Sequence, residues 1–90
     1  AEKLKPFVGG DLIGTYVVQR SDIDMLGHVN NVKYTEWLLD QRLIDPGINT
    51  IQINYLQEAK LGDTVQFYRM GSQVALRNPK DNKAITLYKI

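Results

Sequence analysis

One run in this chain has the period of a helix, and almost everything after it has the period of a strand. In VKYTEWLLDQRLI, residues 32–44, Tyr34 and Leu38 fall on one face at i, i+4, while Val32, Leu39 and Leu43 carry apolar surface onto another side. That spacing predicts a helix of about 13 residues, roughly 20 Å long at 1.5 Å per residue. Asp45-Pro46-Gly47 should stop it, because proline cannot continue the hydrogen-bond ladder and glycine permits a sharp turn. The period then changes to two. Ile51, Ile53 and Tyr55 alternate with Gln52 and Asn54, which predicts a half-buried strand. TVQFYRM, with Val65 and Phe67 on one face, QVALRN and AITLYKI read as three more strands. Turns at Gly62-Asp63, Gly71-Ser72 and Pro79 to Asn82 separate them. Before the helix, LIGTYVV at 12–18 is a short run rich in strand formers. One helix and about five strands on short connections define an α+β fold with a mostly antiparallel sheet.

The chain has 90 residues, enough for one domain. The opening AEKLKPFVGG has no period and ends in a glycine pair, so residues 1–10 read as a linker-like segment and 11–90 as the domain. A domain of this size buries only about 60% of its unfolded-chain surface. One helix laid on one sheet also leaves a sheet edge or face uncovered, and a second copy is the simplest cover. The net charge is +1 with mixed signs, which gives no basic stripe for nucleic acid. Cysteine is absent, so disulfides, thiolate metal sites and a cysteine nucleophile are excluded. That composition is compatible with a reducing cytoplasm. No apolar run approaches the ~20 residues that span a bilayer, and no signal-peptide pattern opens the sequence.

The chemistry gathers in SDIDMLGHVNN, residues 21–31, where the one histidine stands among carboxylates and amides just before the helix. Asn30 or Asn31 is a suitable N-cap. The first amides of a helix lack internal partners and attract an oxyanion. Asp24, His28 and the amides of Asn30, Asn31 and Val32 could together hydrolyse an acyl compound. The plainer readings stand beside this: Asp24 as a turn residue bonding backbone two residues on, His28 satisfied by a carbonyl, and the asparagines as caps alone. Glu58 in QEAKLGD reads equally as an exposed charge before a turn. Tyr34 and Trp37 read as helix-face packing. A single histidine with scattered carboxylates is a poor metal set, so no metal is expected.

SDIDMLGHVNNVKYTEWLLD resembles the second-half motif of the acyl-acyl carrier protein thioesterases of the hotdog superfamily, commonly SD-x-D-M-N-x-HVNN-x-KY-x-EW. INYLQEAKLGDTV resembles the strand and turn that follow, and RNPKDNKAI suits the last hairpin. The D-x-x-G-H-V-N-N core by itself also suits smaller acyl-CoA thioesterases of the same superfamily. The resemblance implies a hotdog fold, a central helix wrapped by a curved antiparallel sheet, and hydrolysis of a fatty acyl thioester without a cofactor. It places the catalytic aspartate on Asp24, the histidine on His28 and a second acid, possible base for water, on Glu58. The plant enzymes carry a cysteine where this chain has Ala59, so a thiol mechanism is closed here.

Two departures follow from the same comparison. Leu26 stands where the family usually has asparagine. A leucine neither donates nor accepts; if that amide serves the oxyanion, its loss slows the chemical step by roughly 10²–10³. The link QRLIDPGINT is shorter than usual. Family members generally carry two hotdog halves, so this chain is expected either to be a piece of a longer protein or to pair with itself as a homodimer. The expected substrate is an acyl carrier protein (ACP) or CoA thioester. The alternatives are a homodimeric acyl-CoA thioesterase and a non-catalytic module that binds acyl groups or assembles.

Overall fold

The computed structural model describes residues 3–41 and 51–90. Strand β1 spans Asp11–Val17, and a single 3₁₀ turn at Arg20–Asp22 leads to helix α1, Asn31–Asp40. Four strands follow: β2 Gln52–Tyr55, β3 Thr64–Met70, β4 Gln73–Asn78 and β5 Lys83–Lys89. They form one sheet in the order β1-β3-β4-β5-β2, with every neighbouring pair antiparallel. The helix lies on one face of it, which is the hotdog arrangement.

The elements form where the periods change. Strand limits sit within a residue or so of the sequence reading, because alternation and turn chemistry are local signals. The expected helix stop at Asp45-Pro46-Gly47, and Leu43, lie outside the described residues. Within them α1 closes at Gln41, whose N–H bonds the Leu38 carbonyl. The β4–β5 hairpin turns through Asn82 at φ +56°, a left-handed conformation that asparagine tolerates.

Tyr34, Trp37 and Leu38 bring one face of α1 onto Val65 and Phe67 of β3, Val74 and Leu76 of β4, and Ile85 and Tyr88 of β5. The Tyr88 hydroxyl donates to the Tyr34 carbonyl at 2.8 Å, tying sheet to helix inside the core. The second apolar side expected of the helix is uncovered: Val32 is 60% and Leu39 48% exposed.

The far face of the sheet is also occupied. Ala75 and Leu87 pair across β4 and β5 and are buried, yet stand outside the main core cluster. The opening segment runs over that side. The Leu4 N–H bonds the Asn54 side chain on β2 at 3.0 Å, and the Phe7 carbonyl accepts from the Arg77 guanidinium on β4. Residues 4–7 therefore make specific contacts with the sheet, which an aperiodic sequence does not reveal.

Candidate active site

Residues 22–30 form a small closed loop, and its geometry follows from two aspartates and a glycine. Ile23 and Val29 pair as an isolated antiparallel bridge, and the Asp24 N–H bonds the His28 carbonyl at 2.8 Å. The Asp24 carboxylate folds back and accepts from the Leu26 and His28 amides at 2.9 and 3.0 Å. This is the side-chain-to-backbone closure that aspartate makes readily. Gly27 completes the loop at φ +82°, where a side chain would be strained.

Asp22 anchors the base of the loop. It is 4% exposed, and its carboxylate accepts from the Tyr16 hydroxyl at 2.6 Å and the Gln19 amide at 2.8 Å. The Lys33 ammonium stands 3.9 Å from its other oxygen. Burial first, then the bond to Asp22, raises the Tyr16 hydroxyl to about 12. The Asp22 carbonyl accepts the Asn30 N–H, so the same residue fixes where α1 begins.

The fold carries Glu58 to this loop from the segment after β2. Its Oε1 lies 2.7 Å from His28 Nδ1 and also accepts the Val29 amide at 3.2 Å. An ionised carboxylate only accepts, so in this contact Nδ1 is the donor; in the neutral imidazole that tautomer leaves the Nε2 lone pair for a proton. Glu58 is itself held in place. The next residue, Ala59, is buried, and its N–H bonds the Tyr34 hydroxyl at 3.0 Å. His28 and Glu58 form one wall of a cleft of about 280 Å³, with Asn31, Tyr34, Tyr55 and Gln57 among its other lining residues.

The amides at the helix start are not equally free. Asn30 caps α1 by accepting the Val32 N–H at 3.0 Å, and its own N–H is taken by Asp22. Of the three candidate donors, only Asn31 leaves its amide without a partner among the described residues, and it lines the cleft. Asp24 and His28 share a loop, but Asp24 Oδ1 accepts two backbone amides, and the imidazole pairs with Glu58 instead. Leu26 sits at the loop tip, 82% exposed, beside the fully exposed Met25.

Sequence reading placed Tyr34 in the core without its second task, holding the Ala59 amide. It passed over Asp22, whose burial beside Tyr16 and Gln19 no feature of SDID signals. Among the described residues no three of His, Asp or Glu gather as a metal site. No described helix is long and apolar enough to cross a membrane.

The family model for the acyl-ACP thioesterase C-terminal domain matches residues 9–90. No curated protein sequence matches the chain. Among solved structures, an acyl-ACP thioesterase of Bacteroides thetaiotaomicron superposes with a TM-score of 0.75 at 24% identity, covering 99% of this chain and 41% of that one. The chain thus spans about two-fifths of that relative's length. A Staphylococcus aureus protein solved with CoA gives a TM-score of 0.67 at 22% identity, covering 89% of this chain and 77% of its own. A Streptococcus mutans protein bound to acetyl CoA gives 0.64 at 18%, covering 98% and 90%. At these identities the superpositions speak for the fold.

Proposed function

Because the chain belongs to the acyl-ACP thioesterase C-terminal domain family, we propose that it hydrolyses fatty acyl thioesters of acyl carrier protein through His28, Glu58 and the Asn31 amide. Thioester hydrolysis is the chemistry of that family, and the 2.7 Å contact between His28 and Glu58 at the cleft is the observation that carries the assignment.

In this mechanism Glu58 holds the imidazole with its proton on Nδ1. His28 Nε2 takes a proton from a water molecule as the oxygen attacks the thioester carbonyl. The carbonyl oxygen gathers negative charge beside the Asn31 N–H at the positive end of α1. Collapse breaks the carbon–sulfur bond. The Nε2 proton passes to the departing thiolate, leaving a fatty acid and the carrier thiol. Asp24 works indirectly by closing the loop that aims His28. Glu58 has a second oxygen without a partner among the described residues that can take the water proton itself, so the roles of base and orienting group separate only by mutation.

The exposed Met25, Leu26 and Val32 near the loop tip and helix start fit coverage by a second hotdog domain, in the same chain or as a second copy. Leu26 favours a second reading, a slowed or non-catalytic acyl-binding module, because it supplies no hydrogen bond where the family has an amide. The test is turnover of acyl-ACP and acyl-CoA substrates of graded chain length. Glu58→Gln and His28→Ala should each lower kcat by about 10²-fold or more. A measurable rate that both variants leave intact would overturn the assignment.

A further inference from the structure

A second hollow, about 420 Å³, lies next to the catalytic cleft and shares Leu56 and Gln57 with it. Its other walls are Phe7 and its neighbours from the opening segment, Arg77 from β4, and Asn82 to Ala84 from the β4–β5 hairpin. We infer that this hollow is a phosphate subsite, in which Arg77 and Lys83 hold the charged end of a phosphopantetheine arm whose thioester lies at His28. The inference rests on the thioesterase reading above.

The charge pattern comes first. Arg77 is 5% exposed and pairs with no carboxylate among the described residues. Its guanidinium is gripped between the rings of Tyr68 at 4.5 Å and Phe7 at 5.1 Å, and one Nη2 proton goes to the Phe7 carbonyl. That leaves further N–H donors of a buried cation without a partner among the described residues, in a hollow they line. These donors open on the hollow, where an anion can complete them with charge-assisted hydrogen bonds. Lys83 adds a second cation at the rim, its ammonium in no ion pair among the described residues. The nearby Asp81 carboxylate is turned to the Lys83 backbone amide and does not line the hollow.

The lining chemistry then selects the anion. Pro6, Phe7, Val8, Leu56 and Ala84 make the hollow largely apolar around its two cations. An amphipathic arm ending in phosphate fits such a surface better than a free inorganic ion does. Between the two hollows stands Gln57. Its side-chain nitrogen donates to the Ala84 carbonyl at 3.1 Å, which leaves its oxygen open to accept from an amide of the arm. Both thioester sources, ACP and CoA, present a phosphate at the far end of the same arm, so the subsite reads their shared chemistry.

The test is calorimetric titration of the protein with 4′-phosphopantetheine and with pantetheine. The expected result is a preference of about tenfold for the phosphorylated form at low salt, the size of one or two charge-assisted hydrogen bonds. Lys83→Glu and Arg77→Gln should each drive that preference toward unity. Arg77 also ties down Phe7; should Arg77→Gln fail to fold, the exposed Lys83 decides alone. Equal affinity for the two ligands, or a preference that Lys83→Glu leaves standing, overturns the inference. Binding separates it from the hydrolase reading: phosphate preference without turnover sinks the latter only, and turnover without phosphate preference sinks the former only. The KM of Lys83→Glu for acyl-ACP and acyl-CoA identifies the source. A rise for both marks the common phosphate, a rise for one names that carrier, and a rise for neither overturns the subsite.

Discussion

The hydroxyl of Tyr34 joins the core to the catalytic loop, and removing one oxygen atom tests that join. In Tyr34→Phe the ring keeps its place between Trp37 and Tyr55, at 5.1 and 5.6 Å between centroids. The Ala59 N–H loses its acceptor while 1% exposed. An orphaned buried donor costs about 1–3 kcal/mol. The cleft beside Tyr34 can admit a water to soften the loss, so the lower half of that range applies, about 1.5 kcal/mol. For a domain of this size that lowers Tm by roughly 6–12 °C. The same change frees the residue after Glu58, so His28 loses its orienting partner. A misplacement near 1 Å is enough to lower kcat by about 10²-fold. Thermal denaturation followed by circular dichroism, with turnover measured well below both midpoints, reads the two effects separately. Tyr88→Phe is the control. It removes a bond to the Tyr34 carbonyl, but that carbonyl lies inside α1, where the ladder supplies another donor. Its Tm loss should be at most about half as large, with kcat little changed. A Tyr34→Phe protein whose Tm stays within about 2 °C of the parent would refute the argument that the Ala59 amide depends on this hydroxyl for its acceptor.

Three other outcomes follow from the same geometry. Asp24→Ala removes the acceptor for the Leu26 and His28 amides; kcat should fall about tenfold or more while KM moves little, since the loop aims the imidazole. Equal loss in Asp24→Asn would show that charge at Asp24, not loop closure, is what matters. Leu26→Asn should raise kcat by about tenfold or more if the amide serves the oxyanion, and an unchanged kcat removes that role. The third concerns alkaline pH. Tyr16 is raised from 10.0 to about 12 in the folded state, by burial and then by Asp22, so between those values the folded chain binds more protons than the unfolded one. Its contribution is therefore complete below pH 10 and is lost as pH climbs to 12. Urea denaturation across that window should show a shallower fall of stability in Tyr16→Phe; identical slopes would contradict the shift.

The opening segment, read as a linker because nothing in AEKLKPFVGG repeats, contacts the sheet through backbone atoms of Leu4 and Phe7 and through the Phe7 ring over Arg77. Backbone bonds and a single ring contact leave no periodic pattern in the sequence. The helix start shows the opposite case. Asn30 as cap was legible because a cap is a residue type next to a period change. Which amide stays open was not, since it depends on Asp22 reaching Asn30.

Short-range physics wrote the strand and helix order, the hairpin turns and the fold-back of Asp24 directly into the sequence, because each is decided within a few residues. Only the folded chain could bring Glu58 across 30 positions to His28, set the Tyr34 hydroxyl against Ala59, and bury Arg77 between two rings. Those contacts join segments whose separation is fixed by how the sheet wraps the helix, and no local pattern encodes that distance.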